Sequence, residues 1–388
     1  MLHRVKKIFE LEASTGILLF VATILALLVA NSANFTIYNN FFSYNLPLDL
    51  KFIGLYKNLT IHDWINDALM AIFFLLVGLE LKEEILVGEL SSKSRVMLPA
   101  ISACGGVIFP ALIFYLCNFN NPENLRGFAI PTATDIAFAY GAICLFGNKV
   151  SKSLKVFLIS LAIFDDLNAI LIIAIFYSHN ISLFYIGLAI LCAFILAIFN
   201  LKKFTNLFVY LGLGIILWLM FLKSGVHASV AGVILAMFIP RDKDTLHKLI
   251  KKIAPMVNFL ILPLFAFANC GVRFENFSLE IFTSQLVLGI TFGLFFGKQI
   301  GVMLFSFLAI KLGLTHLPRS PKGVASWFEF YAISVLTGIG FTMSFFIGSL
   351  AFVNNHSAID EVKIGVFCGS FLSLIFGLIL IFFATRKS

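Results

Sequence analysis

The chain has 388 residues, of which 60% are hydrophobic and 12% are charged, whereas a soluble domain has about 45–50% and about 25% of these classes. This imbalance excludes a soluble globular protein, and at ~20 residues per membrane-spanning helix it provides for on the order of ten to twelve spans. The net charge of +8 must therefore first be explained by the side of a membrane on which the basic residues lie.

Twelve continuously apolar stretches, separated by short polar segments, predict an all-α polytopic membrane protein with twelve transmembrane helices. They lack the period-two alternation of a membrane β-barrel. The first stretch is longer than the ~7–15 apolar residues of a signal peptide, and Glu10 and Glu12 interrupt its basic flank, so we expect a retained helix. The predicted spans are 13–31, 62–86, 96–117, 127–146, 154–177, 181–200, 205–221, 224–239, 254–271, 284–310, 326–350 and 362–384.

The distribution of basic residues predicts the topology of these spans. With a cytoplasmic N-terminus, 20 of the 28 Lys and Arg residues fall in inside segments and six in outside segments. This bias follows the positive-inside rule and predicts that both termini are cytoplasmic. It also accounts for the net charge without a nucleic-acid partner. The six cysteines have the spacing of neither a disulfide framework nor a structural metal site.

One long connection, residues 34–60, predicts a hairpin outside the membrane. Leu48-Asp49-Leu50-Lys51-Phe52 alternates, and Gly54 can turn the chain. Such a strand could pair with a second subunit. A partly ordered loop is the alternative.

Acidic residues inside predicted spans are the main functional signal, because each costs ~2.5–3.5 kcal/mol at mid-span and needs a polar cavity, a partner or a proton. The adjacent Asp165 and Asp166 lie in span five. Their side chains point about 100° apart, so both can border one cavity. Protons or a hard cation such as Na⁺ can relieve the repulsion between them. A pair that caps or snorkels at a helix end is the alternative.

Two spans contain residues that interrupt helices. Span four has Pro131, Thr134 and Asp135, and span eleven has Gly338 and Gly340. Interrupted helices in both halves of a chain are typical of transporter sites built from inverted repeats at the membrane midplane. A simple proline kink is the alternative for span four.

Lys298 is a basic residue deep in span ten. We expect it to pair with Asp165 or Asp166 and, with Asp135, to offset the charges of the interrupted helix ends. Snorkelling to the membrane surface is the alternative.

Span two carries acids at two depths. Thirteen residues separate Asp67 from Glu80, about 20 Å along a helix, so Asp67 is predicted near the outer mouth and Glu80 toward the inside. Lys82, Glu83 and Glu84 are predicted to form a solvated helix end. His227, at the start of span eight, is either an interfacial histidine or a proton sensor.

These residues lie in segments that resemble the NhaA-type bacterial Na⁺/H⁺ antiporters, over essentially the whole chain. The segments are Phe73-Phe74-Leu75-Leu76-Val77-Gly78-Leu79-Glu80, Pro131-Thr132-Ala133-Thr134-Asp135-Ile136-Ala137-Phe138, Leu161-Ala162-Ile163-Phe164-Asp165-Asp166, Gly225-Val226-His227-Ala228, Leu262-Pro263-Leu264-Phe265-Ala266-Phe267-Ala268-Asn269 and Gly338-Ile339-Gly340-Phe341-Thr342-Met343-Ser344.

The resemblance implies a transporter and not an enzyme, with interrupted helices that cross at spans four and eleven. The implied protein lies in the bacterial inner membrane as one domain, residues 1–388, and dimerises through the external hairpin. It exchanges cytoplasmic Na⁺ or Li⁺ for external protons, with two protons per ion, and so is electrogenic. It is pH-regulated, serves Na⁺ and pH homeostasis, and uses no cofactor besides the transported ions.

The resemblance also implies roles for single residues. Asp166 is the main Na⁺ ligand, Asp165 the second titrating group, and Thr134 contributes to the ion site. Asp135 belongs to the polar interruption of span four, and Lys298 is the charged partner of the aspartate pair. Glu80 and Glu84 match the cytoplasmic funnel, and Asp67, His227 and His247 are our further candidates for the funnel or the pH response.

One segment departs from the family. Members tend to have acids and histidines at the start of span nine, where this chain has Leu249-Ile250-Lys251-Lys252-Ile253-Ala254. We therefore expect a different pH profile, with His247 as a partial substitute.

Two other functions fit parts of the pattern. A sodium-coupled symporter of a small organic solute could share the fold, but it needs a larger cavity with neutral polar lining. An intramembrane aspartyl protease also places aspartates in spans. However, Asp165 and Asp166 share one helix, and the sequence has no Gly-x-Gly-Asp.

Overall fold

The structure is a computed structural model that describes residues 2–50, 55–86, 88, 93–178, 180–273, 279–320, 323–353 and 355–386. Helices dominate these residues, which confirms a polytopic helical membrane protein. The helices are α1 (Leu2–Ala30), α2 (Phe35–Phe42), α3 (Ile61–Asp63), α4 (Met70–Leu86), α5 (Lys93–Asn118), α6 (Ile136–Cys144), α7 (Lys152–Phe176), α8 (Leu183–Leu201), α9 (Leu207–Ser224), α10 (Val230–Phe238), α11 (Lys243–Met256), α12 (Leu262–Asn269), α13 (Gln285–Phe292), α14 (Lys298–Lys311), α15 (Trp327–Leu336), α16 (Phe341–Ala351) and α17 (His356–Arg386).

Wider or tighter helical turns join several of these helices. Three π-helical segments connect α3 to α4, α11 to α12 and α13 to α14, namely Trp64–Leu69, Val257–Ile261 and Gly293–Gly297. The 3₁₀ segments are Asn124–Thr132, Gly147–Lys149 and Leu279–Thr283.

The described residues do not confirm the predicted number of twelve spans. Among the described residues, nine helices are long and apolar enough to cross a membrane, and two bent pairs raise the number to eleven. One pair bends by 115° between α1 and α2, and the other by 45° between α15 and α16. The predicted span 224–239 corresponds to α10, whose 9 residues are shorter than the ~20 that a bilayer requires. The count of twelve therefore stays a prediction.

The chain forms two compact units. Unit 1 comprises Met1–Val21, Glu89–Ala169 and Val272–Ser388, and unit 2 comprises Ala22–Gly88 and Ile170–Gly271. In unit 1, α5 packs closely against α14, because Gly105 and Gly301 bring the two backbones together. In unit 2, α4 packs against α10 at Gly232, where an added Cβ would collide with the backbone of Ala71.

Two short hairpins lie between the helices. β1 (Leu48–Leu50) pairs antiparallel with β2 (Leu55–Lys57), in the loop where the sequence predicts a hairpin. The predicted turn at Gly54 lies outside the described residues. β3 (Arg319–Ser320) pairs with β4 (Gly323–Val324), and the sequence analysis did not predict this second hairpin.

Candidate functional site

A buried ion pair forms the centre of unit 1. Nζ of Lys298, at the start of α14, donates to Oδ2 of Asp165 on α7 at 2.5 Å. Both side chains and that of Asp166 are 0–1% exposed, so Lys298 does not snorkel to a membrane surface. The sequence left the partner of Lys298 open between two carboxylates, and the structure shows Asp165.

Thr134 connects this ion pair to the interrupted span eleven. Its Oγ1 lies 2.7 Å from Oδ2 of Asp165 and 2.7 Å from the carbonyl oxygen of Thr337. A threonine hydroxyl has one hydrogen, which two acceptors here share. Loss or gain of a proton at Asp165 therefore changes the hydrogen bond from Thr134 to the interruption of span eleven, between α15 and α16, which we call the second break.

The second oxygen of Asp165 differs from the first in its hydrogen bonding. No described residue donates a hydrogen bond to Oδ1 of Asp165, which is buried. A buried acceptor in this state calls for a donor or an ion. Gly106 of α5 borders the same space, because an added Cβ would lie 3.5 Å from Nζ of Lys298 and 3.7 Å from Oδ1 of Asp165.

Asp135 ties the two interrupted spans together. Its Oδ1 accepts from the backbone N–H of Phe138 at 3.0 Å, and so caps α6. Its Oδ2 accepts from the backbone N–H of Thr342 at 3.0 Å and from the Thr342 hydroxyl, at the start of α16. Its own N–H donates to the carbonyl of Ile339 at 2.7 Å. Asp135 thus faces the positive ends of both half-helices.

The expected offset of the negative helix ends by Lys298 stays a prediction, because charges interact without a direct hydrogen bond. Among the described residues, Nζ of Lys298 hydrogen-bonds to Asp165 and to no carbonyl of either break.

The breaks themselves have distinct local causes. Pro131 stands near the end of the 3₁₀ segment, and residues 133–135 are non-helical before α6 begins. In the second break, an added Cβ on Gly338 would collide with the carbonyl of Leu294, and one on Gly340 with the side chain of Ser344. Gly338 is therefore required by a backbone contact, whereas Gly340 is closely surrounded by side chains.

The predicted funnel and pH-response residues belong to unit 2. Nε2 of His227 lies 3.3 Å from Oδ1 of Asp67, and Nδ1 of His247 lies 3.1 Å from Oε1 of Glu83. Glu80 and Glu84 lie one turn apart on α4 and are partly exposed. The sequence did not predict either histidine–carboxylate pair.

The environment of Lys82 differs from the sequence prediction. The solvated helix end predicted there is wrong for this side chain, which is 8% exposed. Its Nζ donates to the carbonyls of Ala236 and Met237 at 3.1 and 2.7 Å, and also to that of Ile239. These carbonyls lie at the end of α10, whose negative dipole end a cation stabilises.

Two residues near the site carried no signal in the sequence. Gly106 and Ser370 are small residues in apolar helices, where such residues are common for packing. The described residues contain no group of three or more His, Cys, Asp or Glu that could hold a metal ion.

Comparisons with known proteins agree with the resemblance in the sequence. The model of the family described as Na⁺/H⁺ antiporter 1 matches residues 6–381. A Na⁺/H⁺ antiporter NhaA of Pelagibacter ubique is 47% identical, and the match covers 98% of each chain. The NhaA 3 of Saccharophagus degradans is 46% identical over 100% of this chain and 98% of its own. The NhaA 2 of Campylobacter jejuni is 48% identical over 97% of this chain and 98% of its own.

Proposed function

The chain belongs to the Na⁺/H⁺ antiporter 1 family, and from this membership we propose that it exchanges cytoplasmic Na⁺ or Li⁺ for external protons in the bacterial inner membrane. The observation that carries the proposal is the pair of buried carboxylates, Asp165 and Asp166, on one helix beside Lys298. The protein works as one transporter domain over residues 1–388, with no cofactor, in Na⁺ and pH homeostasis.

Exchange takes place by competition for the same oxygens. Asp166 is the main Na⁺ ligand, with Asp165 and Thr134 completing the site. When Na⁺ binds, the carboxylates are ionised, and when protons bind, the charge that holds the ion is lost. The buried Oδ1 of Asp165 supports this assignment, since no described residue donates to it.

Lys298 and Asp165 supply the charge compensation for this cycle. A proton on Asp165 removes one charge of the ion pair, and Asp166 is then the remaining counter-charge of Lys298 until the second proton binds to it. Two protons, one for each carboxylate, enter for each Na⁺ that leaves, and the exchange is therefore electrogenic. The 2.5 Å contact between Lys298 and Asp165 supports the coupling of the two charges.

The architecture that we propose has twelve spans, inverted repeats and cytoplasmic termini. Spans four and eleven are interrupted and cross at the bilayer midplane. Hydrogen bonds from one break to the other, through Asp135 and Thr134, support the crossing. The excess of Lys and Arg in the inside segments supports the orientation.

We propose that pH regulates transport through the funnel residues Asp67, Glu80, Glu84, His227 and His247. Histidine is the side chain whose charge ordinarily changes between about pH 5 and 8. The contacts of His227 with Asp67 and of His247 with Glu83 support this role, because protonation of each histidine creates an ion pair.

Transport can be tested in proteoliposomes with an imposed pH gradient. We expect Na⁺ and Li⁺ to dissipate the gradient with the wild type, and Asp166→Asn to lower the response to that of protein-free liposomes. Asp360→Asn is the matched control, because the Asp360 side chain is 54% exposed. Absence of Na⁺-dependent dissipation by the wild type from acid to alkaline pH would contradict antiport. Full activity in Asp166→Asn would move the site elsewhere.

A further inference from the structure

The start of α16 poses a hydrogen-bonding problem in unit 1. The first N–H groups of a helix have no partner within the helix, and inside a membrane no bulk water replaces it. α16 begins at Phe341, directly after the second break, and Gly340, Phe341 and Thr342 are all buried. Their N–H groups therefore need acceptors from other parts of the chain.

Two side chains supply these acceptors. Oγ of Ser370 accepts from the N–H of Gly340 at 3.2 Å and from that of Phe341 at 3.3 Å. Asp135 accepts from the next N–H, that of Thr342. Ser370 lies on α17 and is 5% exposed. A neutral hydroxyl thus holds two of the N–H groups, and the carboxylate holds the third.

The backbone at this point needs such a restraint. Phe341 has a φ of +21°, a conformation that non-glycine residues rarely adopt and that persists only where the surroundings enforce it. The residues just before it carry the carbonyls of Thr337 and Ile339, which accept from Thr134 and from the Asp135 N–H. The positions of Gly340 and Phe341 therefore determine the positions of these two carbonyl groups.

We propose that Ser370 is a positioning residue of the ion-exchange site. Its hydroxyl oxygen fixes the start of α16, and through the Thr337 carbonyl it sets the geometry of Thr134 beside Asp165. The inference rests on the proposed antiport.

The test compares Na⁺ kinetics of four purified proteins in proteoliposomes: wild type, Ser370→Ala, Ser370→Thr and Ser373→Ala. Ser373 is the matched control, because it lies one turn further along α17, is 0% exposed, and its Oγ has no hydrogen-bond partner among the described residues. With two hydrogen bonds removed, we expect Ser370→Ala to raise the apparent KM for Na⁺ about tenfold, with the maximal rate within about twofold. Thr keeps the acceptor oxygen, so Ser370→Thr should lie within about twofold of the wild type.

The outcomes separate this inference from the proposed function. If the wild type shows no Na⁺-dependent exchange, antiport fails. If the wild type is active and Ser370→Ala has the same KM, the positioning role is wrong. An equal KM rise in Ser373→Ala, or no recovery in Ser370→Thr, also overturns it, because either result indicates general repacking of α17. Should Ser370→Ala not fold, Ser370→Cys replaces it, and its weaker acceptor should give an intermediate rise in KM.

Discussion

At the scale of single residues, the buried pair of Lys298 and Asp165 makes a test of charge compensation. Removing one partner of a buried ion pair leaves a charge with no compensation, at a cost of about 3–5 kcal/mol. We expect Lys298→Met to lower the stability of the purified protein by this order. The loss should be smaller at acidic pH, because a proton on Asp165 then removes the isolated charge.

A double-mutant cycle makes this prediction quantitative. Asp165→Asn removes the partner charge, so Lys298→Met with Asp165→Asn should be more stable than Lys298→Met alone. Denaturant-induced or thermal unfolding in detergent measures the four free energies. Additive effects of the two substitutions would show that the pair does not couple.

The sequence predicted the charged residues of the site and limited the partner of Lys298 to two carboxylates, but it did not predict the neutral partners. Asp165, Asp166 and Lys298 stand out because charge inside an apolar helix is costly and needs a reason. Ser370, Thr342 and Thr337 give no such signal, since a hydroxyl in a membrane helix can bond to its own backbone. Only the three-dimensional contacts show that these hydroxyls and carbonyls join the two breaks.

At the scale of elements, the C-terminal end of α10 is stabilised by a cation from another helix. With 9 residues, it is short, and its last carbonyls have no partner within the helix. Lys82 of α4 donates to three carbonyls at or after its last turn. The pairing explains how a buried lysine is accommodated beside an apolar helix.

Substitution of Lys82 should therefore affect stability more than an exposed lysine does. Lys82→Met keeps the apolar stem but removes the donor, and each hydrogen bond to a charged group is worth about 1.5–3 kcal/mol. We expect a clear drop in the unfolding temperature of the purified protein. Lys248→Met is the control, because Lys248 of α11 is exposed. Equal unfolding temperatures of Lys82→Met and Lys248→Met would contradict a role of Lys82 in capping the end of α10.

Elements were predictable where the sequence contains breakers or alternation. Pro131 indicated the interruption of span four, where residues 133–135 are non-helical, and Gly338 and Gly340 indicated that of span eleven, where no α-helix forms between Leu336 and Phe341. The reduced length of α10 was missed, although residues 224–229 contain two serines, a histidine and Gly225, whose left-handed backbone (φ +83°) ends α9. The hairpin β3–β4 is too short for a period-two pattern.

At the scale of the whole molecule, composition and the positions of Lys and Arg were sufficient to predict a polytopic helical membrane protein and a topology. They do not determine how copies assemble. The antiparallel pair β1–β2 bears on assembly, because a two-stranded sheet has edges that another strand can extend. We therefore expect two copies to associate through this hairpin.

The structure suggests how the hairpin can be replaced by a short turn. The N–H of Leu46 donates to the carbonyl of Leu59 at 2.7 Å, so the chain ends on either side of β1–β2 are already adjacent. Replacing residues 48–57 by two glycines should convert a dimer to a monomer, measured by native mass spectrometry in detergent. The matched control replaces residues 319–324 in the same way, since the N–H of Ala325 donates to the carbonyl of Pro318 at 2.9 Å. A dimer that survives the first deletion, or dissociates equally in the control, would refute assembly through β1–β2.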